Sequence, residues 1–163
     1  MATQKNVQLR PMTTDEYLLY AETAIQEYAA EKVRAGNWKS TEALEEARKS
    51  YAELLPEGVG TPKNFFFSLL DSESNRIVGM IWYRLKSEDK AFILDFKIDE
   101  NDRGKGYGRA AILAAEQDIK NRGVHVVELH VFGHNARAIE LYKSSGYIVT
   151  NMHMKKELGT DGG

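Results

Sequence analysis

One short segment concentrates the chemistry of an anion site. Residues 103 to 108 read Arg-Gly-Lys-Gly-Tyr-Gly, and Arg109 follows. An ordinary turn rarely needs three glycines so close together. A phosphate group uses all of them, because glycine lets the backbone approach closely and adopt positive φ. A helix N-terminus offers unpaired N–H groups to an anion, and Arg103, Lys105 and Arg109 add positive charge. A pyrophosphate suits such a segment. The glycines follow the spacing G-x-G-x-G. That matches neither the dinucleotide fingerprint G-x-G-x-x-G nor the nucleotide-triphosphate loop G-x-x-x-x-G-K followed by Ser or Thr. The alternative reading is a flexible strand-to-helix turn with solvated cations.

Ionisable residues on two strand-like segments form the second group. In Phe92 to Ile98 the apolar side chains alternate: Phe92, Leu94, Phe96 and Ile98 share one face, and Ile93, Asp95 and Lys97 the other. Carboxylates are almost never buried unpaired, so Asp95 on a central strand stands out. In Val126 to Phe132 the residues Val127, Leu129 and Val131 face one way, and Glu128, His130 and Phe132 the other. If the two strands are neighbours, Asp95 and His130 line the same side. A carboxylate and an imidazole at a sheet cleft can activate an amine or a water. The competing reading is a structural polar cluster in which Asp95 pairs with Lys97 or His130. Tyr142, on the last helical segment, carries a hydroxyl able to protonate a departing thiolate. It is equally suited to a core position with a buried hydrogen bond.

The elements that must position these residues are legible along the chain. Val7 and Leu9 suggest a first strand ended by Pro11. A helix follows, with Thr13 and Glu16 as a capping box and Met12 and Tyr17 as a hydrophobic staple. Its stripe is Leu18, Ala21, Ile25, Tyr28, Ala29 and Val33, and Gly36 ends it. Ser40 caps a second helix whose inner face is Leu44, Ala47, Tyr51, Leu54 and Leu55. Three strands, 64–70, 77–83 and 91–98, are joined by links short enough for antiparallel hairpins. A helix over 108–121 and a strand over 126–132 complete a βαβ unit, which implies a partly parallel mixed sheet. A helix over 136–144, capped by Asn135 or His134, ends at Gly146. Residues 147 to 156 read as one long or two short strands. The expected class is therefore α/β, with helices on the faces of a mixed sheet. One domain is expected over 1–158, with 159–163 as a flexible tail.

Bulk composition narrows the function classes. Length 163 suits a single domain with a sizeable core. The formal net charge of −2 argues against nucleic acid as a non-specific partner. Cysteine is absent, which removes disulfides, a thiol nucleophile and thiolate metal sites. No metal is expected, since His125, His130, His134 and His153 form no ligand spacing. No apolar run approaches the roughly 18 residues of a membrane span, and no signal core follows the first residues. Cytoplasmic location is the default expectation, with no membrane partner.

These stretches together resemble the GNAT superfamily of acyl-coenzyme A-dependent N-acyltransferases. The family's cofactor loop is arginine or glutamine, two residues, glycine, one residue, then glycine or alanine. Arg103, Gly106 and Gly108 fit it, and Gly104 and Arg109 extend the fit. The family also places an asparagine before a helix that bears a tyrosine and ends in glycine-aromatic, as Asn135, Tyr142, Gly146 and Tyr147 do here. Leu129 to Asn135 reads L-H-V-F-x-H-N, similar to a group of bacterial GNAT proteins.

The resemblance implies a sheet of six or seven strands whose parallel fourth and fifth strands splay apart around acetyl-coenzyme A, the acyl donor. It implies that backbone groups around Phe96, Lys97 and Ile98 pair with the pantetheine arm. The amides of Gly104, Lys105, Gly106, Tyr107, Gly108 and Arg109 hold the pyrophosphate. Asn135 contacts the pantetheine, and Tyr142 is the general acid near the sulfur. Transfer is direct to an amine of a small molecule or peptide. Some relatives carry a glutamate where this chain has His130, so His130, Asp95 or a water is the base. Tyr28, Glu31, Trp38, Trp82 and Tyr83 are candidate acceptor lining, with Glu27, Glu31 and Glu45 attracting a cationic amine. A homodimer is allowed for. A coenzyme A-binding sensor without catalysis is the second function class, and a nucleotide-binding regulatory domain the third.

Overall fold

The computed structural model describes residues 4 to 160. They fall into two compact units, one running through His130 and the other starting at Val131. The first holds β1 (Val7–Pro11), α1 (Thr14–Arg34), α2 (Ala43–Leu54), β2 (Asn64–Asp71), β3 (Ile77–Leu85), β4 (Lys90–Ile98), α3 (Tyr107–Asn121) and β5 (Val126–Leu129). The second holds α4 (Ala136–Ser144).

The local signals explain most of these boundaries. Thr13 accepts from the Glu16 amide, and the Glu16 carboxylate accepts from the Thr13 amide, so the capping box is formed. Gly36 takes φ +78 just beyond α1, where a left-handed residue stops a helix. Ser40 does not cap α2. That helix begins at Ala43 behind Glu42, with no side-chain cap, because the turn at Lys39 already supplies the carbonyl for the Ala43 amide.

The sheet has five strands in the order β1-β2-β3-β4-β5. The first three pairings are antiparallel, and β4 with β5 is parallel through the α3 crossover. The expectation of six or seven strands is therefore corrected to five among the described residues. Residues 147 to 160 form no strand. Their alternating pattern favours an extended chain, but a strand also requires ladder partners, which alternation alone does not supply. The expected flexible tail over 159–163 lies partly beyond the described residues.

Helices cover both faces of the sheet in the first unit. Phe66, Met80 and Trp82 pack with Met12, Tyr17 and Leu55 on the α1 and α2 side. Met12 and Tyr17, the staple pair, are both buried in this cluster. On the opposite face Tyr83, fully buried, hydrogen-bonds Asp118 and accepts from Arg122 Nε at 2.8 Å at the end of α3. Leu18, Leu44 and Leu54 are exposed, while Tyr17, Ala24, Ala43 and Ala47 are buried. The helices are rotated so that Tyr17, Ala24, Ala43 and Ala47, and not Leu18, Leu44 and Leu54, face inward. Among the described residues, no helix is long and apolar enough to cross a membrane.

Candidate active site

Two backbone features create an opening beside β4. Trp82 pairs with Asp95 and Tyr83 with Ile93, so Leu94 is an extra residue, a β-bulge. Parallel pairing with β5 reaches only Ile93 opposite Leu129. From Leu94 to Ile98, β4 keeps β3 on one side and has no ladder with β5 on the other. The Asp99 amide donates to Val78 O at 2.8 Å, which fixes the alternation. Asp95 and Lys97 direct their backbone groups to β3, and Phe96 and Ile98 direct theirs to the open edge. An extended amide chain finds the Phe96 amide and carbonyl and the Ile98 amide there, while the Ile98 carbonyl accepts from Arg103 Nε.

The bulge also corrects the assignment of faces. Ile93 lies opposite Tyr83 on the α3 side, whereas Asp95 and Lys97 lie opposite Trp82 and Met80 on the α1 side. Ile93 therefore does not share a face with Asp95. One extra residue shifts the phase of a period-2 pattern without changing its composition. Asp95 pairs with neither Lys97 nor His130. Its Oδ2 accepts from the Tyr20 hydroxyl of α1 at 2.7 Å, and Lys97 forms an ion pair with Glu27. Burial, reinforced by the Asp95 carboxylate, pushes the Tyr20 hydroxyl far above the ordinary tyrosine range. It therefore stays a donor. Tyr51 of α2, in the same region, is pushed up to about 12, mainly by burial and then by Asp95. His130 is exposed and lies one residue beyond β5.

The glycine segment lies between the end of β4 and the start of α3. Gly104 and Gly106 have φ +76 and +94, a region costly for residues with a Cβ. Gly106 is the N-cap of α3 and offers no side chain to its amides. The first helical donor bond goes from Ala110 to Gly106 O, so the amides of Tyr107 and Gly108 have no intrahelical acceptor. That is the arrangement an oxyanion can occupy. Arg103 Nε donates to Ile98 O at 2.9 Å and ties the loop to the last residue of β4. The Tyr107 side chain is buried with Lys5 over its ring, so only its amide serves the loop. Asp102, immediately before the loop, is 4% exposed and receives a bidentate pair from Arg76.

In the second unit, Asn135 Oδ1 accepts from the Ala138 amide at 3.2 Å and caps α4. That choice leaves the Asn135 amide group as a donor. Gly146 takes φ +98, and the Tyr147 amide returns to Tyr142 O at 3.0 Å. The turn sets the Tyr147 ring 5.7 Å from the Tyr142 ring, edge to face.

The proposed acceptor lining is only partly assembled. Trp82 faces α1 and α2, near Tyr51. Tyr83 is on the other face and is not part of that side. Tyr28 and Trp38 pack edge to face in the α1–α2 core with Lys32 over both rings. Tyr20 was not legible from sequence, because its partner is 75 residues away. Among the described residues, no group of three His, Cys, Asp or Glu side chains is placed to hold a metal ion.

Comparison with known proteins bears directly on this geometry. The chain is 37% identical over 155 residues to YycN of Bacillus subtilis, an uncharacterised N-acetyltransferase, covering 93% of this chain and 99% of YycN. It is 30% identical over 153 residues to a second such protein of that organism, YdgE, covering 92% and 97%. The YycN crystal structure superposes with a TM-score of 0.84, covering 95% of this chain and 100% of that one. Residues 24 to 147 match the Acetyltransferase (GNAT) family model, a span holding the bulged β4, the glycine loop and α4 with its flanking Asn135 and Tyr147. The open strand edge and the oxyanion loop thus sit within a recognised sequence family, and the chain belongs to the GNAT acetyltransferases, with acetyl-coenzyme A as acyl donor.

Proposed function

We propose that the protein transfers the acetyl group of acetyl-coenzyme A directly to a primary amine of a small molecule or peptide, with residues 1–158 acting as one catalytic domain. The family match from residue 24 to 147, which spans both compact units, supports the single-domain reading. The observation that carries the reading is the open edge of β4 leading into the uncapped start of α3. Phe96 and Ile98 hold the pantetheine amides through backbone groups, with Lys97 between them turned to β3. Gly104 to Arg109 hold the pyrophosphate, and Asn135 donates to the pantetheine.

The chemistry is a single displacement. The amine nitrogen bonds to the thioester carbonyl carbon, the carbon–sulfur bond breaks, the amine loses a proton and the thiolate gains one. Tyr142 supplies the thiolate proton. Asp95, held by Tyr20, accepts the amine proton directly or through water, and its carboxylate also attracts the cationic form. His130 is the second candidate for that step. The absence of cysteine from the sequence argues against a thioester on the enzyme. A homodimer, no nucleic-acid partner and a cytoplasmic location complete the proposal, the second in keeping with the net charge of −2.

The test is thiol release from acetyl-coenzyme A across a panel of polyamines, aminoglycosides, lysine and peptide N-termini. Release with one class, lost in Asp95→Asn and in Tyr142→Phe, is the expected result. Tight binding with no release across the panel favours a sensor and overturns the catalytic assignment of these residues.

A further inference from the structure

The glycine loop begins at a buried negative charge. Asp102 precedes Arg103 and is 4% exposed. A carboxylate one residue upstream of a pyrophosphate site repels the ligand unless it is neutralised. Here the neutralising group comes from outside the loop. Arg76, in the turn between β2 and β3, donates from Nη1 to Oδ2 at 3.0 Å and from Nη2 to Oδ1 at 2.7 Å. This fork-to-fork pairing uses both carboxylate oxygens and fixes their orientation. Lys105 Nζ lies 3.9 Å from Oδ1, beyond hydrogen-bond range. The arginine therefore holds the carboxylate, and the lysine inside the loop does not have to.

We propose that Arg76 is the positioning residue that sets the charge of the cofactor loop: by holding Asp102 bidentately it cancels the upstream carboxylate and leaves Lys105 to the ligand's pyrophosphate. This rests on the reading that residues 103 to 109 bind that group. The same pair fixes the origin of the loop. The short turn Glu100–Asp102 leads straight into Gly104 and Gly106, so tethering Asp102 to the β2–β3 turn limits where the following amides can point. The Asp102 carboxyl is held below the usual carboxylate range chiefly by its hydrogen bonds to Arg76, in keeping with this geometry. Without Arg76, the 3.9 Å gap closes and Lys105 pairs with Asp102. The loop then loses one cation and a fixed start.

The test measures equilibrium binding of coenzyme A and of pantetheine, which lacks the pyrophosphate, to the full chain. Arg76→Gln is expected to weaken coenzyme A by about tenfold, the scale of a lost charge-assisted pair with one exposed partner. Pantetheine binding stays within about twofold, since the open edge of β4 is untouched. The Arg76→Gln/Asp102→Asn double variant regains most of the lost affinity, because the charge needing cancellation is gone. Arg76→Lys, which keeps the charge but loses the fork, falls between and covers the case in which the glutamine variant folds poorly. Equal weakening of both ligands overturns the proposal, as does unchanged coenzyme A affinity or a double variant no better than the single. A different outcome overturns the loop reading itself: wild-type protein that binds coenzyme A no more tightly than pantetheine.

Discussion

Replacing Tyr20 by phenylalanine removes one hydroxyl and keeps the ring packed near Phe66. The hydroxyl donates to Asp95 Oδ2 at 2.7 Å. A hydrogen bond to a charged group contributes about 1.5–3 kcal/mol net. Asp95 is only partly buried, so water recovers some of the loss and the lower end applies. About 1.4 kcal/mol is a tenfold change. Tyr20→Phe is therefore expected to lower kcat/KM for the amine about tenfold while leaving acetyl-coenzyme A affinity unchanged. If part of the loss, ~1 kcal/mol, appears as stability, the Tm falls by about 2–4 °C for a chain of this size. The assay is steady-state thiol release with the best amine, beside calorimetric titration of the donor. Asp95→Asn and the Tyr20→Phe/Asp95→Asn pair complete a cycle. If Tyr20 acts through Asp95, the double variant is no slower than Asp95→Asn alone. A Tyr20→Phe enzyme with a lower Tm but wild-type kcat/KM refutes the reasoning and leaves the pair a purely structural tie between α1 and β4.

Other perturbations separate the parts of the site. Gly106→Glu forces a side chain onto φ +94 and adds a negative charge at the N-terminus of α3, so coenzyme A binding is expected to be lost; calorimetry checks it. Tyr142→Phe is expected to reduce kcat by about 10²-fold or more, the lower range for a positioned acid, with donor affinity retained; pre-steady-state thiol release measures it. Asp102 has a folded-state pKa below 3.8, so its contribution to stability is present above that value and is lost as pH falls through the folded value. The Tm difference between wild type and Asp102→Asn is thus expected to be constant near neutral pH and to shrink below 3.8.

What could be read from sequence was local. The capping box at Thr13 and the stop at Gly36 depend on residues within a few positions of one another, and the βαβ unit around the glycine loop follows from the order of three consecutive elements. The loop was legible because positive φ and uncapped amides leave glycine as their trace. The bulge at Leu94 was not, since one inserted residue leaves β4 as apolar as before and changes only its phase. Asp95 stands out in the sequence but its partner does not: Tyr20 looks like any aromatic on a helix until α1 is laid on the sheet. Arg76 in a polar turn likewise reveals nothing until the fold brings it to Asp102, 26 residues on. The strand expected over 147–156 failed for a related reason, as alternation reports an extended preference and not a partner.

Backbone hydrogen exchange with and without acetyl-coenzyme A tests the central claim most directly, because the site is built mainly from amides. The account predicts that the donor slows exchange of the Phe96 and Ile98 amides on the open edge of β4 and of Gly104 to Arg109 at the start of α3. The amides of Asp95 and Lys97, already paired with β3, change little. Binding that leaves Phe96 and the 104–109 amides unprotected contradicts it.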